Sequence, residues 1–234
     1  MPNSFFDFKR FRIEQDRCSM KVGTDGVLLG AWFPMEPGMS VLDIGTGTGL
    51  IALMAAQRGA GAVTAVEIDT EAAGQAAGNA ERSGWAGLIK VVNADISRFT
   101  ADSRFDRIVC NPPYFRDSLR SPDARRNTAR HNDSLSYETL ARRCADLLSP
   151  SGLLSLVLPN GSVGEFVRCA AGVGLHLCRR TDVVTAPGKP PKRSLVAFAG
   201  HYSEIGTDVL SISGPDGEET SDYINLVKDF YLKY

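Results

Sequence analysis

Apolar residues in this chain fall into short unbroken runs, separated by longer stretches in which they recur every three or four positions. Ser40–Ile44, Ala62–Val66, Leu88–Val92, Phe105–Cys110 and Leu153–Leu158 are such runs, the pattern of strands buried on both faces of a parallel sheet. Residues from Leu50, from Thr70 to Ser83, and from about Ser162 to Gly174 read as helices between them. Strand and helix in alternation predict an α/β domain with helices on both faces of a mostly parallel sheet. Leu175–Val184 and Ser194–Ala199 add two strands across a Gly/Pro-rich turn. Ahead of the first sheet strand, alternation places either Phe6 and Phe8 or Phe11 and Ile13 on the buried face of a further strand.

The loops at the strand ends carry the candidate chemistry. Ser40–Ile44 runs into Gly45-Thr46-Gly47-Thr48-Gly49 and at once into an apolar helix. Strand, glycine loop and helix in that order open a doubly wound sheet, and the loop admits close approach of a ligand. The third glycine comes one residue early for the dinucleotide fingerprint, and no Lys-Ser/Thr pair follows as in a P-loop. The next strand ends in Glu67-Ile68-Asp69. An acid about 20 residues beyond the glycines faces ribose hydroxyls in this architecture, and Glu67 fits, with Asp69 second. Asp95 ends the following strand. It either accepts from an adenine amino group or caps a helical turn starting at Ile96.

Asn111-Pro112-Pro113-Tyr114 follows the strand Phe105–Cys110. Two prolines fix φ and remove two donors, and Pro112 keeps Asn111 out of helical geometry. The loop is stiff and rich in acceptors, suited to a planar –NH2 group with Tyr114 stacked on its ring; otherwise it is a rigid turn closing a strand.

Together these motifs resemble the class I S-adenosylmethionine-dependent methyltransferases, and among them the amino methyltransferases with Asn-Pro-Pro-Tyr. The stretch Met20–Trp32, Gly214-Pro215 and Phe230-Tyr231-Leu232 are similar to the bacterial tRNA1(Val) adenine-N6 methyltransferase family. The resemblance implies a Rossmann-like fold with a seven-stranded, mostly parallel sheet whose last two strands form an antiparallel edge hairpin. It implies one methyltransferase domain over 1–234, with 1–39 a lid on the substrate side and 40–234 the core plus a C-terminal extension. Asp43, Gly45, Gly47, Gly49, Glu67 and Asp95 would hold S-adenosylmethionine, with Thr24 and Asp25 near it; the alternative for Thr24 and Asp25 is an ordinary cap of the helix through Trp32. Asn111 and the Pro112 carbonyl would accept from the target amino group while Tyr114 stacks on the base. The implied reaction is methylation of the adenosine 3′ of the anticodon in tRNA1(Val).

Length and composition agree. A chain of 234 residues can bury a sizeable single core, and no apolar run reaches the ~18 residues of a membrane span. Five scattered cysteines without Cys-x-x-Cys or zinc-type spacing, and no signal sequence, suit reduced thiols in the cytoplasm. No metal is expected, and none of His131, His176 and His201 is singled out as a base. A net charge of −1 gives no global argument for nucleic acid. Its distribution does: Arg116, Arg120, Arg125, Arg126 and Arg130 follow the Asn-Pro-Pro-Tyr loop, either as an RNA-binding segment or as a solvated surface loop. Arg179, Arg180, Lys189, Lys192 and Arg193 form a second cluster around the hairpin turn. Aromatics between Phe5 and Phe11 are either core or stacking surfaces for unpaired bases. Methylation of a guanine amino group or a protein glutamine amide, and RNA binding without turnover, are the alternative functions. Oligomeric state is left open, a monomer being consistent.

Overall fold

The computed structural model describes residues 3–18, 20–112 and 135–234. Its main sheet is built from β3 (Ser40–Ile44), β4 (Ala62–Glu67), β5 (Ile89–Asn93), β6 (Phe105–Cys110), β7 (Leu148–Pro159), β8 (His176–Val184), β9 (Arg193–Ala199) and β10 (Gly206–Ser211), in the order β10-β8-β9-β7-β6-β3-β4-β5. β3 pairs in parallel with both β4 and β6. The chain runs outward from β3 to β5 and returns to β6 on the other side. The sheet therefore has its topological switch point between β3 and β6, where α/β proteins open a crevice beyond the carboxyl ends of the strands.

Alternation along the strands divides two cores. Val41, Val63, Ala65, Val109, Val157 and Leu195 face one side, with α1 (Thr24–Trp32) and α2 (Leu50–Gln57) packed on it. Leu42, Ile44, Val66, Ile108, Leu154 and Leu156 face the other, under α4 (Tyr137–Leu147) and α5 (Val163–Ala171). α2 is buried from Leu50 to Ala56, which accounts for its nearly unbroken apolar sequence. α4 instead buries one stripe, Tyr137, Leu140, Ala141, Cys144 and Leu147, and is capped by the Ser136 side chain accepting from Thr139 N–H. α3 (Thr70–Glu81) has a narrower stripe of Ala72, Ala73, Gln75, Ala76, Asn79 and Ala80.

The sheet has eight strands, not the seven expected, and the β8–β9 hairpin does not lie at its edge. β9 is inserted antiparallel between β7 and β8, and β10 pairs in parallel outside β8. β10 is an outer strand with only Leu210 buried, and Val209 is exposed. It therefore carries almost none of the hydrophobic signal of a core strand.

The N-terminal segment forms a small antiparallel hairpin of β1 (Phe5–Asp7) and β2 (Arg12–Glu14). Phe8, Phe11 and Ile13 are buried in the first core, with Phe6 packed against it. The chain ends clasp: Lys9 N–H donates to Phe230 O (2.8 Å), Lys9 Nζ to Lys228 O (2.7 Å), and the Phe8 and Tyr231 rings stack with centroids 5.9 Å apart. Among the described residues no helix is long and apolar enough to cross a membrane.

Candidate active site

A cleft of about 1160 Å³ opens at the switch point. Single small-molecule sites commonly span about 300–1,000 Å³, so this one has room for a nucleoside-sized ligand and a second planar group. Its floor is the glycine loop between β3 and α2. Gly45, Gly47 and Gly49 all have positive φ, at 68°, 57° and 85°, conformations that β-carbon-bearing residues rarely adopt. At Gly45 a β-carbon would meet no atom within 4 Å, so the backbone there is bare toward the cleft.

Asp43 lies beneath the loop and does not line the cleft. It is 1% exposed, and its Oδ2 accepts from Thr46 Oγ1 (2.5 Å) and Ala52 N–H (3.1 Å), tying the loop to the first turn of α2. Burial pushes its pKa up to about 7, against the Thr46 and Ala52 hydrogen bonds; the Glu67 charge raises it further. With the folded pKa above the unfolded value near 3.9, the unfolded chain releases its proton first as pH rises. Asp43 therefore favours the folded state fully below about pH 4, and this contribution is lost as pH rises through 7. In the Asp43→Asn variant this fall between pH 4 and 7 is expected to flatten. Urea unfolding at a series of pH values measures it; an unchanged slope would contradict the assignment.

Glu67 stands at the tip of β4. Its Oε2 accepts from Gly47 N–H (2.9 Å) and its Oε1 from Asp69 N–H (3.0 Å). Each oxygen keeps a lone pair for another donor, so the carboxylate is oriented and still able to take a diol. Asp69 serves differently, capping α3 by accepting from Ala72 N–H (2.8 Å). Asp95 lines the cleft while holding its own turn: its two oxygens accept from Ser97 N–H (2.8 Å) and Ser97 Oγ (2.7 Å), which keep its pKa below the usual carboxylate range. The turn-holding role expected of Asp95 is present, and the same side chain stands in the cleft wall. Thr24 and Asp25 also line the cleft. Neither caps α1, whose N-cap is Gly23 without a side-chain bond; Asp25 instead accepts from Arg193 Nε at 2.9 Å, joining α1 to β9 at the rim.

Asn111 follows β6 and reaches the same cleft, and Pro112 beside it is buried. The Asn111 Oδ1 is buried and makes no hydrogen bond among the described residues. Leaving a buried acceptor unmatched costs about 1–3 kcal/mol, a cost consistent with a site built for an incoming donor. Tyr114, Arg116, Arg120, Arg125, Arg126 and Arg130 lie outside the described residues.

One wall of the cleft comes from the N-terminal segment, through Cys18, Met20, Val22 and Gly23, and α3 holds it there. Asn79, 1% exposed, donates from Nδ2 to Glu14 O and Thr48 O (2.9 Å each) and accepts at Oδ1 from Glu14 N–H (3.0 Å) and Arg82 Nη2 (2.7 Å). One turn earlier, Gln75 accepts from Arg17 N–H and donates to Asp16. Neither amide was among the residues expected from the sequence. Their signal is two polar residues four apart on the apolar stripe of an alanine-rich helix.

A glycine loop, an oriented acid at the second strand tip and an unmatched acceptor at the fourth, converging at a switch point, define a class I methyltransferase site. The comparisons agree. Residues 19–160 match the model of the methyltransferase small domain family. A protein from Bacteroides fragilis named tRNA1(Val) (adenine(37)-N6)-methyltransferase is 48% identical, with 100% of both chains aligned. One of the same name from Shewanella loihica is 40% identical over 97% of this chain and 99% of its own. In fold, the chain is similar to a predicted O-methyltransferase from Agrobacterium tumefaciens (TM-score 0.71, 22% identity, 88% of this chain and 96% of that one). The chain belongs to the methyltransferase small domain family and, within it, to the family of these full-length relatives. It is an S-adenosylmethionine-dependent methyltransferase. The residues present fit that cofactor: the bare backbone at Gly45 leaves room for it, and the cleft-lining carboxylates of Glu67 and Asp95 are acceptors that would hold its ribose and adenine.

Proposed function

We propose that this enzyme methylates N6 of adenosine 37 in tRNA1(Val). The observation that carries the amino-group chemistry is the buried Asn111 Oδ1, unmatched among the described residues, on a residue that lines the cleft; relatives 40–48% identical over nearly their whole length carry that specificity in their names. S-adenosylmethionine, when bound, supplies a methyl group on a positively charged sulfur. Asn111 Oδ1 accepts from one amino hydrogen and the Pro112 carbonyl from the other. An adenine amino nitrogen is weakly nucleophilic because its lone pair is spread into the ring. Two fixed acceptors favour a more pyramidal nitrogen and stabilise the positive charge that grows on it. The stiff loop also holds the nitrogen in line with the methyl group, which supplies the positioning term. Asn111 is an amide and serves as acceptor, not base; the proton leaves after transfer, to water.

Tyr114 stacks on the target base and the arginines from Arg116 to Arg130 meet the RNA backbone in this reading, with residues 1–234 acting as one catalytic unit in the cytoplasm. The unpaired state of all five cysteines supports a reducing compartment. Adenosine 37 leaves its stack to enter the cleft, at a cost of a few kcal/mol. The test uses labelled S-adenosylmethionine and unmodified tRNA, digested to nucleosides. Label is expected in N6-methyladenosine and is lost when position 37 carries guanosine. Label in N2-methylguanosine, or persistence after that replacement, would overturn the assignment.

A further inference from the structure

The chain carries a second basic feature beside the cleft, the turn Thr185-Ala186-Pro187-Gly188-Lys189-Pro190-Pro191-Lys192 between β8 and β9. Strand register places it. Cys110, the last residue of β6, lies opposite Leu156 of β7; further along the same direction Pro159 of β7 lies opposite Arg193 of β9, and Arg193 opposite Val183 of β8. The turn therefore leaves the sheet at the end from which Asn111 emerges. β9 and β8 are two and three strands from β6, which at a spacing of ~4.8 Å sets the base of the turn roughly 10–15 Å to the side of Asn111.

Charge pairing then separates two cations from the rest of the cluster. Arg179 pairs with Asp208 (3.5 Å), Arg180 with Asp182 (2.8 Å) and Arg193 with Asp25 (2.9 Å). The ammonium groups of Lys189 and Lys192 make no ion pair among the described residues, and both side chains are exposed. The turn that bears them is stiff. Three prolines fix φ, Gly188 takes φ 75°, Lys189 N–H donates to Ala186 O, and the Lys192 backbone is held on both sides, donating to Val183 O and accepting from Asn160 N–H. A preorganised turn loses little freedom on binding.

We infer that Lys189 and Lys192 form a phosphate-contacting surface that grips the RNA backbone beside the target nucleotide. The inference rests on the RNA reading of the site and extends it to a second, lateral contact. Two lysines displayed on a rigid ridge act as point charges on phosphates. They add affinity without reading sequence.

Binding of unmodified tRNA, followed by fluorescence anisotropy between 50 and 200 mM salt, tests this. Lys189→Gln/Lys192→Gln is compared with the parent protein and with Lys90→Gln, an exposed lysine of β5 at the opposite edge of the sheet. The double variant is expected to bind tRNA about tenfold more weakly at the lowest salt. Its slope of log affinity against log salt should be shallower by about 1.5, the release of two phosphate contacts. S-adenosylmethionine affinity and kcat at saturating tRNA stay as in the parent. An unchanged affinity and slope, or an equal change in Lys90→Gln, overturns the inference. A ridge that instead docks a protein gives the same negative. Failure of the parent protein to methylate tRNA would overturn the proposed function. The slope comparison is read on binding alone, so it still decides the role of the turn.

Discussion

Asn111→Ala is expected to lower kcat by about 10²–10³, the range for removing one preorganised group that faces developing charge, while S-adenosylmethionine affinity changes by less than about threefold. Isothermal titration with the cofactor and single-turnover methylation separate the two. Stability should move the other way. The Asn111 Oδ1 is buried and has no hydrogen-bond partner among the described residues, so its removal relieves a desolvation cost of about 1 kcal/mol. Urea unfolding of Asn111→Ala is expected at the parent midpoint or above it. Lost turnover with undiminished stability marks a group retained for chemistry. Parallel loss of cofactor affinity and turnover would instead make Asn111 part of the cofactor cradle.

The second large effect lies away from the reacting atoms. Asn79→Leu removes one amide that satisfies Thr48 O in the glycine loop and both backbone groups of Glu14, at the end of the hairpin that leads into the cleft wall. Leucine is close in size, so little cavity is left; the loss is in pairing. With each stranded group costing about 1–3 kcal/mol, the unfolding free energy should fall by about 3 kcal/mol. S-adenosylmethionine should bind about tenfold more weakly, as the loop and the wall lose their shared tether. With cofactor saturating, kcat should stay within about threefold of the parent, because Asn111 and Pro112 sit on a different strand. Denaturant melts and cofactor titration measure the two effects. A loss of stability with unaltered cofactor affinity would confine Asn79 to a structural role.

These two residues show how far sequence alone could reach. Asn111 is legible because its chemistry is local: a strand, an amide and two prolines stand in one run of chain. The glycine loop and Glu67 are legible for the same reason, each sitting where an apolar run ends. Asn79 is not, because its partners Glu14 and Thr48 lie 65 and 31 residues away, and only folding brings them together. Asp43 shows a subtler limit. Its place beside the glycines is plain, but whether it faces the ligand or the core depends on which way the strand turns its side chain. β10 escaped for lack of signal, since an outer strand that buries Leu210 alone needs no apolar run. The cap given as the alternative for Thr24 and Asp25 is absent because the helix already includes Thr24, leaving Gly23 at the cap position, and Asp25 pairs with Arg193, 168 residues away, a partner invisible in local sequence.

The clasp between Lys9 and Phe230 has a consequence for the order in which the enzyme becomes competent. Ribosomal synthesis is vectorial, and domains form from the N-terminus onward as chain emerges. Here Phe6 and Phe8 complete their packing against Tyr231, which follows every strand of the main sheet in the chain. The hairpin that leads into the cleft wall must therefore wait for the segment around Tyr231. A nascent chain extended only through β10 would hold its central sheet but an unfinished cleft wall, which closes when that segment joins the hairpin.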